Sequence, residues 1–355
     1  MRKSGLILAI APMIFALSAC SSGSEPSATT GSTPEAQVTR DRWNSIKSRG
    51  KLICGVSGEL PGFSFVETNG KYSGIDVDVC RAIASAIFDD PEAVEYRNLN
   101  TKERFTALQT GEVDILSRNT TWTLSRDTSQ GLDFAPVVFY DGQAVMVRKN
   151  SSIKSLADLK DKAICIQTGT TTEQNLADQM RKRNITYKSV VFEDVNITFA
   201  TYAQGRCDAI TTDRSGLVSR RTTLPKPDDN IILDDVLSSE PLAPAVVKGD
   251  TKWADIVKWT IYSLVKAEEL GINSQNLAQF TTSTDPDIKR FLGTEGNLGE
   301  GLGLTKDFAA KIIKHVGNYG EIYDRNLGAK TKLNLARGQN QLWSKGGLLY
   351  SPPFR

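Results

Sequence analysis

Lys51-Leu52-Ile53-Cys54-Gly55-Val56-Ser57-Gly58 is answered further along the chain by Lys162-Ala163-Ile164-Cys165-Ile166-Gln167-Thr168-Gly169, with lysine, isoleucine, cysteine, a hydroxyl and glycine in matching places. Each stretch reads as a buried strand that runs into a polar, glycine-containing loop. A second echo follows each first one. Gln109-Thr110-Gly111-Glu112-Val113-Asp114-Ile115 matches Ala203-Gln204-Gly205-Arg206-Cys207-Asp208-Ala209, each being a helix end, a glycine suited to a left-handed cap, and then a strand. Chance can supply one echo; two in the same order point to two halves built on one α/β plan.

The chain passes between those halves twice. Phe134-Ala135-Pro136-Val137-Val138-Phe139-Tyr140 and Leu242-Ala243-Pro244-Ala245-Val246-Val247 are both extended, apolar and punctuated by proline, as connecting strands are. Side by side they would form a hinge. The expected architecture is α/β and two-lobed, with residues 41–137 and 246–355 in one lobe and 138–245 in the other. Helices are predicted where the apolar spacing is helical. Ile75, Val79, Ile83 and Ile87 give one stripe, and Trp253, Ile256, Val257, Thr260, Ile261, Leu264 and Val265 another, with Gly271 beyond its end. Thr170-Thr171-Thr172-Glu173 opens a third, with hydroxyl caps and an acid in the first turn. Thr305 is the expected cap of a fourth, before Phe308, Ile312 and Ile313.

Residues 1–20 form an address. Arg2 and Lys3 precede the apolar run Leu6 to Leu17, too short for a comfortable membrane span, and Leu17-Ser18-Ala19-Cys20 resembles the bacterial lipobox, in which the cysteine is lipidated. The alternative is an ordinary secretory signal ending near Ala19. Residues 21–40 are rich in Ser, Thr, Gly and Pro and read as a tether. About twenty such residues would hold the folded part roughly 25 Å from the membrane. The 43 basic and 41 acidic residues, net +2, argue against a nucleic-acid partner. Besides Cys20 there are four cysteines, an even number that suits two disulfides in an oxidising compartment, with three possible connectivities. The repeat places Cys54 and Cys80 in one half and Cys165 and Cys207 in the other, which favours one bridge in each.

The chemistry is concentrated in Ser117-Arg118-Asn119-Thr120-Thr121-Trp122-Thr123-Leu124-Ser125-Arg126, which follows the apolar run Glu112 to Leu116. Arginines and hydroxyls at the end of a buried strand lie where open α/β sheets bind ligands, and a guanidinium fork matches a carboxylate. The stretch suits a small carboxylate.

Gly74-Ile75-Asp76-Val77-Asp78-Val79, with Ile83-Ala84 and Ile87, resembles the signature of the solute-binding proteins of polar amino-acid ABC importers. Ser117 to Trp122, Gln167 to Glu173 and the ending from Tyr319 through Pro352-Pro353-Phe354-Arg355 are similar to the longer, general L-amino-acid-binding members. The resemblance covers essentially the whole chain after the tether. It implies a periplasmic or cell-surface receptor, lipid-anchored here, whose lobes close on a free L-amino acid and pass it to an ABC permease. It needs no cofactor or metal. The family's clamp for the α-carboxylate falls on Arg126, with Asn119 and Thr121 as neighbours. Its helix-start loop in the other lobe falls on Thr170 and Thr171, its ammonium-binding acid on Asp213, and its first-lobe loop on Ser57 to Leu60, including Glu59, and on Phe63. Gln167 stands where some relatives have lysine and Thr212 where some have histidine, so side-chain preference does not carry over. Arg118 can reach an acidic or amide side chain of the ligand.

Each of these residues also has a duller reading. Arg126 can be a surface arginine, Asp213 a cap for Ser215, Glu59 a solvated loop acid, Arg118 a member of a salt bridge, and Phe63 and Trp122 core aromatics. Thr168 to Thr172 lacks the lysine of a phosphate loop, and Gly299-Glu300-Gly301-Leu302-Gly303 lacks a preceding strand. An enzyme of this fold, like the cyclohexadienyl dehydratases, is the main alternative. It would need a tuned acid or base, and the single histidine, His315, falls far from every cleft loop in sequence. A sensory module of the same fold would usually carry a further span and an output domain.

Overall fold

A computed structural model describes residues 42–355; the expected signal segment, Cys20 and the tether lie outside them. Strand β1 (Leu52–Val56) is followed by a small meander of β2 (Glu59–Leu60), β3 (Ser64–Val66) and β4 (Tyr72–Ser73), then β5 (Val94–Asn98), β6 (Ile115–Leu116) and β7 (Leu132–Phe134). The chain crosses on β8 (Phe139–Arg148) and builds β9 (Ala163–Gln167), β10 (Lys188–Phe192), β11 (Ala209–Asp213) and β12 (Asn230–Ile232). It returns through β13 (Ser239–Leu242) to β14 (Ala245–Val247).

The sheets show why the sequence echoes itself. One has the order β5-β1-β6-β14-β7, the other β10-β9-β11-β8-β12, with β13 also on β8. In each, the echoed first strand lies between two parallel neighbours, and the strand next in the order runs antiparallel. The crossings lie side by side as a hinge, with Phe139 opposite Leu242 and Ala245 opposite Phe134. Disulfides tie Cys54 to Cys80 and Cys165 to Cys207, so each lobe carries its own bridge, as the repeat favours.

Helix Ile75–Phe88 lays Val79, Ile83 and Ala86 into the larger core, shared with Trp253, Ile256 and Leu264 of helix Thr251–Glu269. Gly74 starts the first of these helices at φ 123°, and a Cβ there would lie 2.1 Å from the carbonyl oxygen of Phe63, so only glycine fits. The acids that follow do more than oppose the helix dipole. Buried Asp76 accepts from the Asn119 backbone N–H (3.0 Å), whereas Asp78 accepts from Arg325 Nε (2.8 Å) and Asn326 Nδ2 (2.6 Å). One acid of the signature thus holds a cleft loop and the other anchors the C-terminal segment.

That segment packs in the first lobe, and its proline-rich end lies against helices of that lobe rather than at the hinge. Phe354 settles against Trp259 and Phe291. The hinge contact comes from Asn340, whose amide copies a backbone amide. Its Oδ1 accepts from Tyr140 N (2.7 Å) and its Nδ2 donates to Tyr140 O (3.1 Å), while Tyr319 donates to Val138 O (2.7 Å). Two local expectations also change. Asp307 rather than Thr305 is the N-cap of helix Phe308–Val316, since Thr305 meets Phe308 through its backbone carbonyl. The strand expected over Glu112 to Leu116 shrinks to β6, because the buried carboxylate of Asp114 accepts from Ile53 N (2.7 Å) and is paired with Arg42 and Arg49.

Candidate ligand-binding cleft

A cleft opens between the sheets where β1, β6, β9 and β11 end. Ser57, Glu59, Arg118, Asn119, Thr121 and Arg126 line it from one lobe and Gln167, Thr170, Thr171 and Asp213 from the other. Of the side chains expected at the site, that of Phe63 is not brought there. It is 1% exposed in the core and meets the Phe139 ring edge-on at 5.2 Å, because β2 and β3 turn its side chain away from the cleft. Trp122 also stays outside the lining, stacked on Phe134, with Nε1 donating to Asp127.

The lobes touch across the cleft. Thr101 Oγ1 donates to Thr168 O (2.9 Å), Asn196 Nδ2 to Glu59 Oε1 (2.9 Å), Ser219 Oγ to Pro61 O (2.7 Å) and Arg220 Nη1 to Glu59 O (2.9 Å). The arrangement is closed, and Glu59 is a lobe-to-lobe contact rather than a freely solvated acid. Its carboxyl is pushed above the usual range, first by burial and then by Asp194.

In the first lobe the loop after β6 is held from behind. Asp76 fixes Asn119, which takes a left-handed backbone (φ 32°) that asparagine tolerates. Burial pushes the Asp76 carboxyl up to about 7. Thr123 caps helix Leu124–Thr128 by accepting from Arg126 N, and Arg126 Nη1 donates to Thr121 O (2.8 Å). Arg126 is 7% exposed, which excludes the surface reading. Arg118 is buried, donates from Nε to Leu99 O (2.7 Å) and has the carboxylates of Asp76 and Glu59 nearby.

In the second lobe Thr170 is the N-cap of helix Thr171–Lys182. It accepts from Glu173 N and donates to Gln167 O (2.7 Å). Gln167 Nε2 donates to Glu193 O (2.8 Å). Asp213 precedes helix Arg214–Arg221 without capping it, because Asp141 accepts from both the backbone N–H and the hydroxyl of Ser215. Among the described residues the Asp213 carboxylate accepts no hydrogen bond, although the residue is 6% exposed. Its carboxyl lies well above the usual range, raised first by burial and then by Asp141 and Glu240, with Arg126 and Arg104 pulling it down.

Arg104 and Arg220 also line the cleft. Among the described residues none of Arg104, Arg118, Arg126 and Arg220 forms an ion pair, and neither do Asp213 and Glu59. Buried charges without partners are costly, so a cleft of this kind is built for a ligand that brings the opposite charges. Among the described residues no group of histidine, cysteine or carboxylate side chains is placed to hold a metal ion. His315 pairs with Asp89 through Nε2 at 2.6 Å, outside the cleft lining.

Arg104, Arg220, Asp141 and Glu240 were not legible as site residues. Arg104 carried one signal. It opens a helix, where a cation opposes the dipole, and such a placement needs a reason.

Two lobes, a two-strand hinge and a charged cleft between them define a clamshell binding protein. The chain belongs to the bacterial extracellular solute-binding proteins, family 3, whose model matches residues 52–275. It is 54% identical over 88% of its length, and 92% of the relative's, to the general L-amino acid-binding periplasmic protein AapJ of Rhizobium johnstonii. It is 50% identical, over 88% and 93%, to the glutamate/glutamine/aspartate/asparagine-binding protein BztA of Rhodobacter capsulatus. Among solved structures, an ABC transporter periplasmic binding protein from Brucella ovis with glutathione bound matches with a TM-score of 0.87 and 51% identity, covering 89% of this chain and 99% of that one. Close relatives are named as binding proteins, not as enzymes.

Proposed function

We propose that this protein captures a free L-amino acid outside the cytoplasmic membrane, anchored there through Cys20, and delivers it to an ABC permease. The observation that carries the reading is the opposition of Arg126 and Asp213, an unpaired cation and an unpaired carboxylate on facing lobes of one closed cleft. Arg126 takes the α-carboxylate, together with the Thr171 helix start, and Asp213 takes the α-ammonium. Ligand bridging both lobes stabilises the closed state. The relatives' ligands fit one description, because free amino acids and the γ-glutamyl end of glutathione share an α-ammonium and an α-carboxylate.

Titration calorimetry on the chain from Ser21 onward, against the common L-amino acids, tests this. Tight binding of amino acids recovered unchanged is the expected outcome. No binding, or a ligand recovered altered, would overturn it.

The Asp213 carboxyl adds a pH dependence. Its pKa is raised in the empty cleft, and an arriving ammonium lowers it, so binding expels a proton and affinity falls as pH is lowered. Calorimetry over a series of pH values in buffers of differing ionisation enthalpy should report net proton release through the range in which affinity falls. Proton uptake would contradict the assignment.

A further inference from the structure

At one level of the hinge, each crossing strand passes from the hold of one lobe to that of the other. On the outgoing strand β8 both backbone groups of Tyr140 are taken by Asn340, whose Oδ1 accepts from Tyr140 N (2.7 Å) and whose Nδ2 donates to Tyr140 O (3.1 Å). Pro241 stands opposite Tyr140 on β13 and has no N–H to offer instead. Asn340 is itself anchored in the first lobe. Its backbone carbonyl accepts from Arg337 Nε (3.0 Å) and Nη2 (2.8 Å), and Arg337 forks onto Glu268 of helix Thr251–Glu269 (2.8 and 3.0 Å) with its guanidinium over the rings of Tyr319 and Tyr323. One residue further along β8, Asp141 is held by the second lobe, where its carboxylate accepts from the N–H and hydroxyl of Ser215.

The returning strand repeats the pattern. Glu240, opposite Asp141, accepts from Thr171, Asn175 and Ser238 of the second lobe, and its one first-lobe donor is the Thr121 hydroxyl. The next residues belong to the first lobe. Pro241 O accepts from Trp122 N (2.8 Å), Ala243 N donates to Thr120 O (3.0 Å) and Pro244 O accepts from Ala135 N (2.9 Å). The change therefore falls between Tyr140 and Asp141 on one strand and, directly opposite, between Glu240 and Pro241 on the other.

We infer that Asn340 is a hinge brace, a positioning residue that fixes Tyr140 to the first lobe so that the lobes turn on the Tyr140–Asp141 and Glu240–Pro241 links. Arg337 and Asn340 lie beyond the residues that the family model matches, so the C-terminal segment adds the brace to that part of the chain. A hinge braced in this way has its backbone ordered before a ligand arrives, and closure then costs less. The inference rests on the proposed closing of the lobes and not on which ligand they close on.

Two readouts on the chain from Ser21 onward test it. Hydrogen exchange reports the Tyr140 N–H, and spin labels at the exposed positions of Ser48→Cys and Ser189→Cys, one in each lobe, report inter-lobe distances. Without ligand the Tyr140 N–H should be as protected as with saturating L-glutamate. Asn340→Leu is expected to speed its exchange at least about tenfold, to widen the ligand-free distance distribution, and to weaken L-glutamate and L-alanine by one common factor of about five. Asn340→Asp, which keeps the acceptor and loses the donor, should fall between, and it serves if thermal unfolding shows the leucine form to be unfolded. A Tyr140 N–H protected only when ligand is bound would make the contact a latch of the closed state. An unchanged distance distribution in a variant with faster exchange would leave Asn340 holding the C-terminal segment alone. Either result overturns the inference. If neither amino acid binds the unmodified chain, the amino-acid reading falls, while the ligand-free readouts still decide the brace.

Discussion

Replacing Arg126 by alanine is expected to cost at least about 2 kcal/mol of binding, roughly thirtyfold in Kd, for every amino acid the protein accepts. The guanidinium is buried at 7% exposure, fixed by the Thr121 carbonyl and supported by the Phe105 ring, so it is preorganised before a ligand arrives. Burial lowers its pKa, and the nearby carboxylates of Glu240 and Asp213 restrain that shift, so the group meets a ligand carboxylate as a cation. Its removal leaves that carboxylate enclosed with the Thr171 helix start and without its main partner. Calorimetry against several amino acids should show a uniform loss. Affinity retained in Arg126→Ala would place the α-carboxylate elsewhere.

What could be read from the sequence follows from what is local. The strand-loop echoes at Lys51 and Lys162 became equivalent strands of two sheets, because a buried strand ending in a glycine loop is a local pattern with a fixed structural consequence. Thr170 capped its helix for the same reason. The two acids after Gly74 were visible, but their partners, Asn119 and Arg325 with Asn326, were not, since the choice of partner is made by tertiary packing. Asp213 shows the limit most directly. A carboxylate two residues before Ser215 is an obvious cap, and it is spared that task only because β8 brings Asp141 to the same N–H. Phe63 went the other way, since its loop lies at the cleft while its ring faces the core. Glu240 stands among ordinary charged residues in the sequence, and only burial distinguishes it.

Glu240 gives the other large expected effect, and it acts from behind the cleft. The residue is 1% exposed on β13, opposite Asp141. Its Oε2 accepts from the hydroxyls of Thr121 (2.6 Å) and Thr171 (2.9 Å), and its Oε1 from Asn175 Nδ2 (2.7 Å) and Ser238 Oγ (2.5 Å). A hydroxyl has one proton, and the two threonines, one from each lobe, both give theirs to Glu240. Their oxygens are therefore left as acceptors, which suits an ammonium beside Asp213. Glu240→Gln substitutes an amide whose nitrogen can only donate. At least one of the four donors must then turn, and a threonine that accepts from the amide aims its own proton at the ligand ammonium. The expected loss is about 2 kcal/mol of amino-acid affinity, with the unliganded fold retained because the amide is isosteric. Calorimetry with Glu240→Gln and Thr121→Val, singly and combined, tests the route. If the carboxylate acts through the threonine hydroxyls, the double variant should lose less than the sum of the two, and strict additivity would refute the coupling.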